Sequence, residues 1–241
     1  NGKGKAWDKL VQRLGVEPVV YDAEMVDASI ENITDRLTYL GYYGSTVDSR
    51  INVKKKRVYV TYDITLGKRF PIRDIEITLP EGGTFSKDFM SDTSAMLVKP
   101  GDYLSEDILE KETARSSAAL KNMGYYNFSK NHFFFEADTL SYPDSAVLKM
   151  TINEYTRNED PSQARPITKY TFNDVSISYP ENLEFRTKVL EELNTIKPGQ
   201  TYSTDNVNNT YSRLSALRLF SSVNIGITQV DTSLIDCRIN L

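Results

Sequence analysis

Leu37-Thr-Tyr-Leu-Gly-Tyr-Tyr43 returns nearly unchanged as Leu120-Lys-Asn-Met-Gly-Tyr-Tyr126, and more loosely as Leu214-Ser-Ala-Leu-Arg-Leu-Phe220. Each copy closes an apolar-striped helix and leads into a predicted strand. Gly41 and Gly124 stand where a helix end takes a left-handed residue, and an aromatic pair follows that can fold back on the last turn. The copies are spaced too widely for a stacked solenoid, so each unit is expected to be a small domain with its own core.

A second repeated stretch supports the first. Lys99-Pro-Gly-Asp102 and Lys197-Pro-Gly-Gln200 each precede a helix, with Pro and Gly at the two central positions of a type II turn. Proline biases the residue before it away from helix, so each turn should separate two helices. Ser105, and Ser203 or Thr204, follow as N-caps.

Composition narrows the function. The chain has 241 residues, 39% hydrophobic and 26% charged, which suits several small cores better than one deep core. A net charge of -4 and a pI near 5.2 argue against a nucleic-acid binder, which needs a basic face. With one Cys (Cys237) and one His (His132), neither an internal disulfide nor a Cys/His metal cluster can be assembled, and no cofactor motif is read. The redox compartment stays open. No run is long enough to span a membrane as a helix, and Asn1-Gly-Lys-Gly-Lys5 lacks a signal-peptide core. The chain reads as a fragment that opens inside its first repeat.

In chain order, a short helix is expected at Trp7 to Leu14. A long one follows, capped by Asp22, with Val26, Ile30, Ile33, Leu37 and Leu40 on one face. Strands follow near Thr46–Val53 and Arg57–Leu66, with Val58, Val60, Tyr62 and Ile64 inward. The second unit runs from a strand at Arg73–Leu79 (Ile75, Ile77 and Leu79 inward) to a helix with Phe89, Thr93, Met96 and Leu97 on one side. A helix from Glu106 to Met123 follows, with Leu109, Leu120 and Met123 on a shared face. Strands near Phe128–Ala137 and Ala146–Asn153 close the unit, the latter with Ala146, Leu148, Met150 and Ile152 inward. Arg157 to Pro166 is polar and aperiodic and reads as a linker. The third unit repeats the order: a strand at Tyr170–Tyr179 (Val175, Ile177, Tyr179), a helix with Phe185, Val189, Leu193 and Ile196, and a helix with Val207, Tyr211 and Leu214. Strands at Val223–Val230 and Leu234–Leu241 end it, with Cys237 between Ile235 and Ile239 as a packing residue.

The expected fold class is therefore α+β. Three tandem β-α-α-β-β domains each carry a three-stranded mixed sheet covered by a helix pair, the first lacking its opening strand. The boundaries fall at 1–69, 70–157, a linker at 158–165, and 166–241. If the helices form a hairpin, the first and third strands are parallel and the third lies in the middle. Two edges per sheet stay open, and open edges are hazards unless used or covered.

This pattern resembles the polypeptide-transport-associated (POTRA) domains of the outer-membrane assembly superfamily. Ile64-Thr-Leu-Gly-Lys-Arg-Phe70 leading into Ile72-Arg-Asp-Ile75 is similar to the family's junction between units. Gly15-Val-Glu-Pro-Val-Val-Tyr-Asp22 looks like a segment of TamA-like lipoproteins of Bacteroidetes. Unit two departs from the pattern, ending in Asn153-Glu-Tyr-Thr-Arg157 without a glycine and with a longer linker. The resemblance implies a periplasmic arm, tethered to the outer membrane ahead of a transmembrane barrel that this stretch does not contain. Such an arm holds unfolded outer-membrane proteins or accessory envelope proteins by strand addition.

The candidate contact strands are the second of each unit: Asn131, His132, Phe133, Phe134, Phe135, Glu136 and Ala137 first, then Val47, Ile51 and Val53, and Val223, Ile225 and Ile227. The aromatics on both faces of the first strand are either covered by a neighbour or offered to a partner. Lys54-Lys-Lys-Arg57 could meet lipid head groups or an acidic partner, although a solvated hairpin tip is the plainer reading. His132 has no second ligand nearby in sequence, and no carboxylate pair sits in a catalytic motif, so the chain is not read as an enzyme. The alternatives are a structural arm docking one fixed envelope partner and, behind it, a ferredoxin-like enzyme that two close carboxylates in a deep pocket would revive.

Overall fold

The computed structural model of the chain describes residues 20–180 and 188–241. The helix expected at Trp7 to Leu14, and Phe185, lie outside the described residues. The chain divides after Arg69 into two compact units, residues 1–69 and 70–241.

In the first unit the Asp22 carboxylate accepts the Glu24 N–H at 2.9 Å and starts helix α1, Ala23–Tyr39. Gly41 ends it in the left-handed region, φ 87°. The Gly41 N–H donates to the Thr38 carbonyl (2.8 Å) and the Tyr42 N–H to the Leu37 carbonyl (2.9 Å), the paired bonds of a Schellman motif. Strands β1, Thr46–Lys54, and β2, Arg57–Thr65, form an antiparallel hairpin with Thr46 opposite Thr65 and Lys54 opposite Arg57. Its two turn residues, Lys55 and Lys56, both have positive φ (48° and 66°), as a type I′ turn demands. The expected inward face of β2 is only partly covered: Val58, Val60 and Tyr62 are half-buried, and Ile64 is exposed. Among the described residues a single helix covers two strands, so Val26 and Val47 are the buried hydrophobics of this unit.

The second unit holds two three-stranded sheets. The first is built from β3, Ile72–Thr78, β4, Phe133–Asp138, and β5, Ala146–Ile152, in the order β3-β5-β4. β3 is parallel and β4 antiparallel to the central β5, as the connectivity implied. Ala146, Leu148, Met150 and Ile152 all point into the core. Helices α2, Phe85–Asp92, and α3, Glu106–Asn122, join β3 to β4. The second sheet repeats the plan with β6, Thr171–Ser178, β7, Asn224–Gln229, and β8, Leu234–Asn240, in the order β6-β8-β7. Helices α4, Lys188–Leu193, and α5, Thr204–Ala216, join β6 to β7. Cys237 is fully buried between Ile235 and Ile239, and burial pushes its thiol up to about 11.

Both first strands carry an extra residue near their start. Ile72 lies opposite Ala146 but Asp74 opposite Val147; Phe172 lies opposite Ile235 but Val175 opposite Cys237. Such a bulge shifts the phase of alternation, so Ile72 and Phe172 are buried three residues ahead of half-buried Ile75 and Val175. The Pro-Gly turns form as expected, with Gly101 at φ 98° and Gly199 at φ 80°. They also do something the sequence did not announce. The chain leaving each turn pairs with the start of the first strand: the Ile72 N–H donates to the Asp102 carbonyl (2.7 Å) and the Leu104 N–H to the Phe70 carbonyl (2.8 Å). Phe172 to Gln200 (2.9 Å) and Tyr202 to Tyr170 (2.8 Å) repeat this.

Several expected faces are corrected. α2 stops at Asp92 and a short 3-10 turn, Thr93–Ala95, follows, so Leu97 is exposed while Phe85, Phe89, Met96 and Val98 are buried. α3 buries Leu120, but Leu109 is half-buried and the rest of the covered face is Glu112, Thr113, Ser116 and Ser117. Glu112 is tolerated there because its carboxylate accepts the Leu97 N–H (2.7 Å) and the Arg115 guanidinium (2.7 Å), a pairing that holds Arg115 protonated. Around the second sheet Tyr179 and Tyr211 are exposed, while Leu190 and Thr210 are buried; the Thr210 hydroxyl accepts the Thr195 N–H at 2.9 Å. The strand expected from Phe128 begins only at Phe133. Asn131 and His132 belong to a 3-10 turn, Lys130–His132, capped by Ser129.

Candidate protein-docking edges

The aromatic side chains of β4 are claimed by the protein itself. Phe133 is fully buried and Phe135 packs against the same core; a phenylalanine so placed contributes about 2–3 kcal/mol to folding and is not offered outward. His132 is buried, stacked on Phe128 at 5.0 Å, and burial lowers its pKa against the opposing effect of the Ser129 carbonyl. Phe134, on the other face, meets Tyr155 edge-on at 5.5 Å and lies under the Arg157 guanidinium. Glu136 and Ala137 are exposed.

The backbone is a different matter. The Asn153 N–H donates to the His132 carbonyl, and Phe134 lies opposite Thr151 and Glu136 opposite Lys149. With antiparallel alternation the N–H and C=O groups of Phe133, Phe135 and Ala137 therefore face away from β5. Arg157 takes the first of these: its Nε donates to the Phe133 carbonyl at 3.1 Å, and its backbone N–H donates to the Asn131 carbonyl at 3.1 Å. Beyond that point no strand pairs with the outer side of β4 among the described residues. The stretch expected to be a free linker is thus pinned to the edge it follows, and a 3-10 turn, Pro161–Gln163, capped by Asp160, shortens it further.

β7 has the same arrangement. The Val230 N–H donates to the Leu234 carbonyl, so Ile225 and Ile227 turn their backbone groups outward, and the Tyr126 hydroxyl approaches the Ile227 carbonyl at 3.4 Å. Val223, Ile225 and Ile227 pack their side chains against the core of this sheet. Tyr126 belongs to a larger joint between the two sheets. Its ring packs edge-on against Tyr170 (5.8 Å) and Tyr202 (5.0 Å). The Tyr170 N–H donates to the Gly124 carbonyl at 2.9 Å. The Lys169 ammonium meets Asp88 at 2.7 Å, and Tyr125 donates to the same carboxylate at 2.7 Å. Burial works against the Asp88 charge, but these hydrogen bonds outweigh it and keep its pKa below the usual range. Asn122, at the end of α3, accepts from the Asp205 N–H (3.0 Å) and from Ser203 (3.2 Å) at the start of α5.

In β1, Val47 is buried, while Ile51 and Val53 are 50% and 67% exposed. A groove of about 360 Å³ runs beside β6, lined by Val175, Ile177, Tyr179, Leu190, Ile196 and Lys197 among others. Sequence reasoning missed it because Leu190 was not assigned to the inner face. Among the described residues no group of three or more His, Cys, Asp or Glu could hold a metal, and no helix is long and apolar enough to cross a membrane.

Residues 8–67 match the family model described as POTRA, surface antigen variable number repeat. No curated protein matches the chain. Among solved structures, POTRA domains 3–5 of Haemophilus influenzae BamA are similar at 15% identity and a TM-score of 0.52, with 97% of this chain and 89% of that one covered. BamA from Haemophilus ducreyi lacking POTRA domains 1–3 is similar at 12% identity and a TM-score of 0.52. The match covers 71% of this chain but only 29% of that one. The chain is thus similar to POTRA domains in sequence over residues 8–67 and shares the fold of BamA POTRA domains over nearly its whole length.

Proposed function

We propose that the chain is a periplasmic protein-binding scaffold of the outer-membrane assembly type, made of three POTRA units in tandem, which holds extended segments of client or accessory envelope proteins by adding them to the outer edges of β4 and β7. The observation that carries this reading is the outward backbone of Phe135 and Ala137 on a strand whose Phe133 and Phe135 side chains are already committed to the core. An edge of this kind offers main-chain hydrogen bonds without requiring a rearranged core. The likeness to BamA POTRA domains supports it. Periplasmic location, a membrane tether and a following barrel come to the reading from that likeness. The finer resemblance to TamA-like lipoproteins rests on Gly15 to Asp22 alone.

The test is titration of the isotope-labelled chain with an extended amphipathic peptide that copies the alternation of a barrel strand. Amide shifts at Phe135 and Ala137 are expected, and Ala137→Pro, which removes an outward N–H and spares the ladder to β5, should abolish the Phe135 shift while β5 resonances persist. Binding that survives Ala137→Pro, or shifts confined to other faces, overturns the assignment to β4.

One observation favours a narrower role, docking of one fixed partner: both edges are partly occupied from within, by Arg157 and by Tyr126. Pull-downs yielding one protein and no unfolded clients would select it. For the enzyme reading, Asp92 and Glu112 are indeed close, but both are bound by Arg115 (2.7 Å each), which makes them a structural tie.

A further inference from the structure

We infer that the tip of the β1–β2 hairpin is a docking surface for anionic phospholipid bilayers, an inference that does not depend on strand addition. Two features of the tip cost the fold stability, and a third leaves its charge uncompensated. Lys55 and Lys56 both sit in the left-handed region, where Asn-Gly is the pair that fits such a turn without strain. Lys54 and Arg57 face each other directly across the strands, a like-charge pair that weakens a hairpin. Among the described residues no carboxylate pairs with any of the four; Asp63, on the same hairpin, is bound by Arg50.

Immediately behind these cations, on one face of the sheet, Val53 lies opposite Val58 and Ile51 opposite Val60. Val53 and Ile51 are exposed. Four cations at a convex end, backed by an aliphatic patch and lying in a chain of net charge -4, form a local amphipathic tip with strong charge asymmetry. Three of the four are lysines, which act as mobile point charges and suit a surface of many head groups better than one bidentate carboxylate. Anionic bilayers reward this combination, because basic residues stay among the phosphates while short aliphatic side chains enter the interface. An acidic protein partner would use the cations but gain little from a valine pair at the rim.

The experiment is co-sedimentation of the full chain with vesicles of phosphatidylcholine doped with phosphatidylglycerol, against pure phosphatidylcholine and against soluble polyglutamate. Binding to the anionic vesicles alone, falling steeply with added salt, is expected. Lys55→Asn with Lys56→Gly relieves the turn and removes two cations. It should raise the melting temperature yet weaken vesicle binding roughly 25-fold, each basic residue near the surface being worth about a factor of five. Val53→Ser should weaken vesicle binding further. The inference is overturned if the relieved turn binds vesicles as well as the parent chain, if the parent chain ignores them, or if polyglutamate is held as tightly as the anionic vesicles.

Discussion

Gly124 shows how much one position can carry. It holds φ 113°, its N–H closes the end of α3, and its carbonyl receives the Tyr170 N–H from the neighbouring sheet. A Cβ there would stand 2.6 Å from Thr201 Cγ2 and 3.2 Å from Lys169 Cβ. Gly124→Ala should therefore cost about 2 kcal/mol or more, combining left-handed strain with the clash, and should show as a lowered melting temperature. Arg218, in the third copy of the same stretch, also adopts positive φ, 52°, with its N–H on the Ser215 carbonyl. Arg218→Gly is expected to stabilise by about 1 kcal/mol in denaturant titration. The repeat made the left-handed glycines legible, since they recur before an aromatic pair. That the first aromatic, Tyr125, enters its own core while the second, Tyr126, reaches the next sheet was not legible, because identical residues carry no sign of which neighbour they meet. His132 gives a titration signature: burial lowers its folded pKa, so the unfolded chain takes up the proton first. Stability should be lost as pH falls below about 6.5, the ordinary histidine value, down to the lower folded value. His132→Gln should flatten that part of a stability–pH curve.

Among elements, β4 differs most from its sequence. Phe128 and the run Phe133 to Phe135 would suggest one long strand if the polar residues between them were ignored, but Ser129 caps a 3-10 turn, and a capped turn outcompetes extended pairing where Phe128 already finds the core. β5 was fully legible because strict alternation and complete burial coincide. α3 was legible in length but not in face, since the buried Thr113, Ser116 and Ser117 carry no hydrophobic signal. The two bulges could have been found from sequence: Ile72-Arg-Asp-Ile75 and Phe172-Asn-Asp-Val175 are the same pattern, each followed by alternating residues and a proline. Arg157 makes a prediction that belongs to the strand. Arg157→Ala frees the Phe133 carbonyl and should strengthen capture of an extended peptide several-fold in titration, at a stability cost of about 1 kcal/mol for the lost bond.

At the level of the whole molecule, the split after Arg69 leaves residues 70–241 as one compact unit with two separate cores. Arg157 to Pro166 reads from its composition as a polar linker. The joint is instead made of Tyr126, Lys169, Asn122 and Gly124, none of them in the linker, which is why the linker's composition did not reveal it. Asp88→Asn removes the charge that Lys169 meets and should make the stretch around Arg157 to Pro166 more susceptible to limited proteolysis while leaving each sheet's own protection unchanged. Because the Asp88 pKa is lowered in the folded state, the same loosening is expected in acid, as pH drops through that depressed value.

The segments that follow the two Pro-Gly turns lie along the beginnings of β3 and β6, and Arg157 and Tyr126 sit on β4 and β7. If the borders take a visiting chain as proposed, it finds room for only a few main-chain bonds at any one of them. Each grip is brief and individually feeble, at about 1 kcal/mol per bond, and retention comes from engaging several borders at once. Under the proposed function, such borders would hand a polypeptide onward rather than store it.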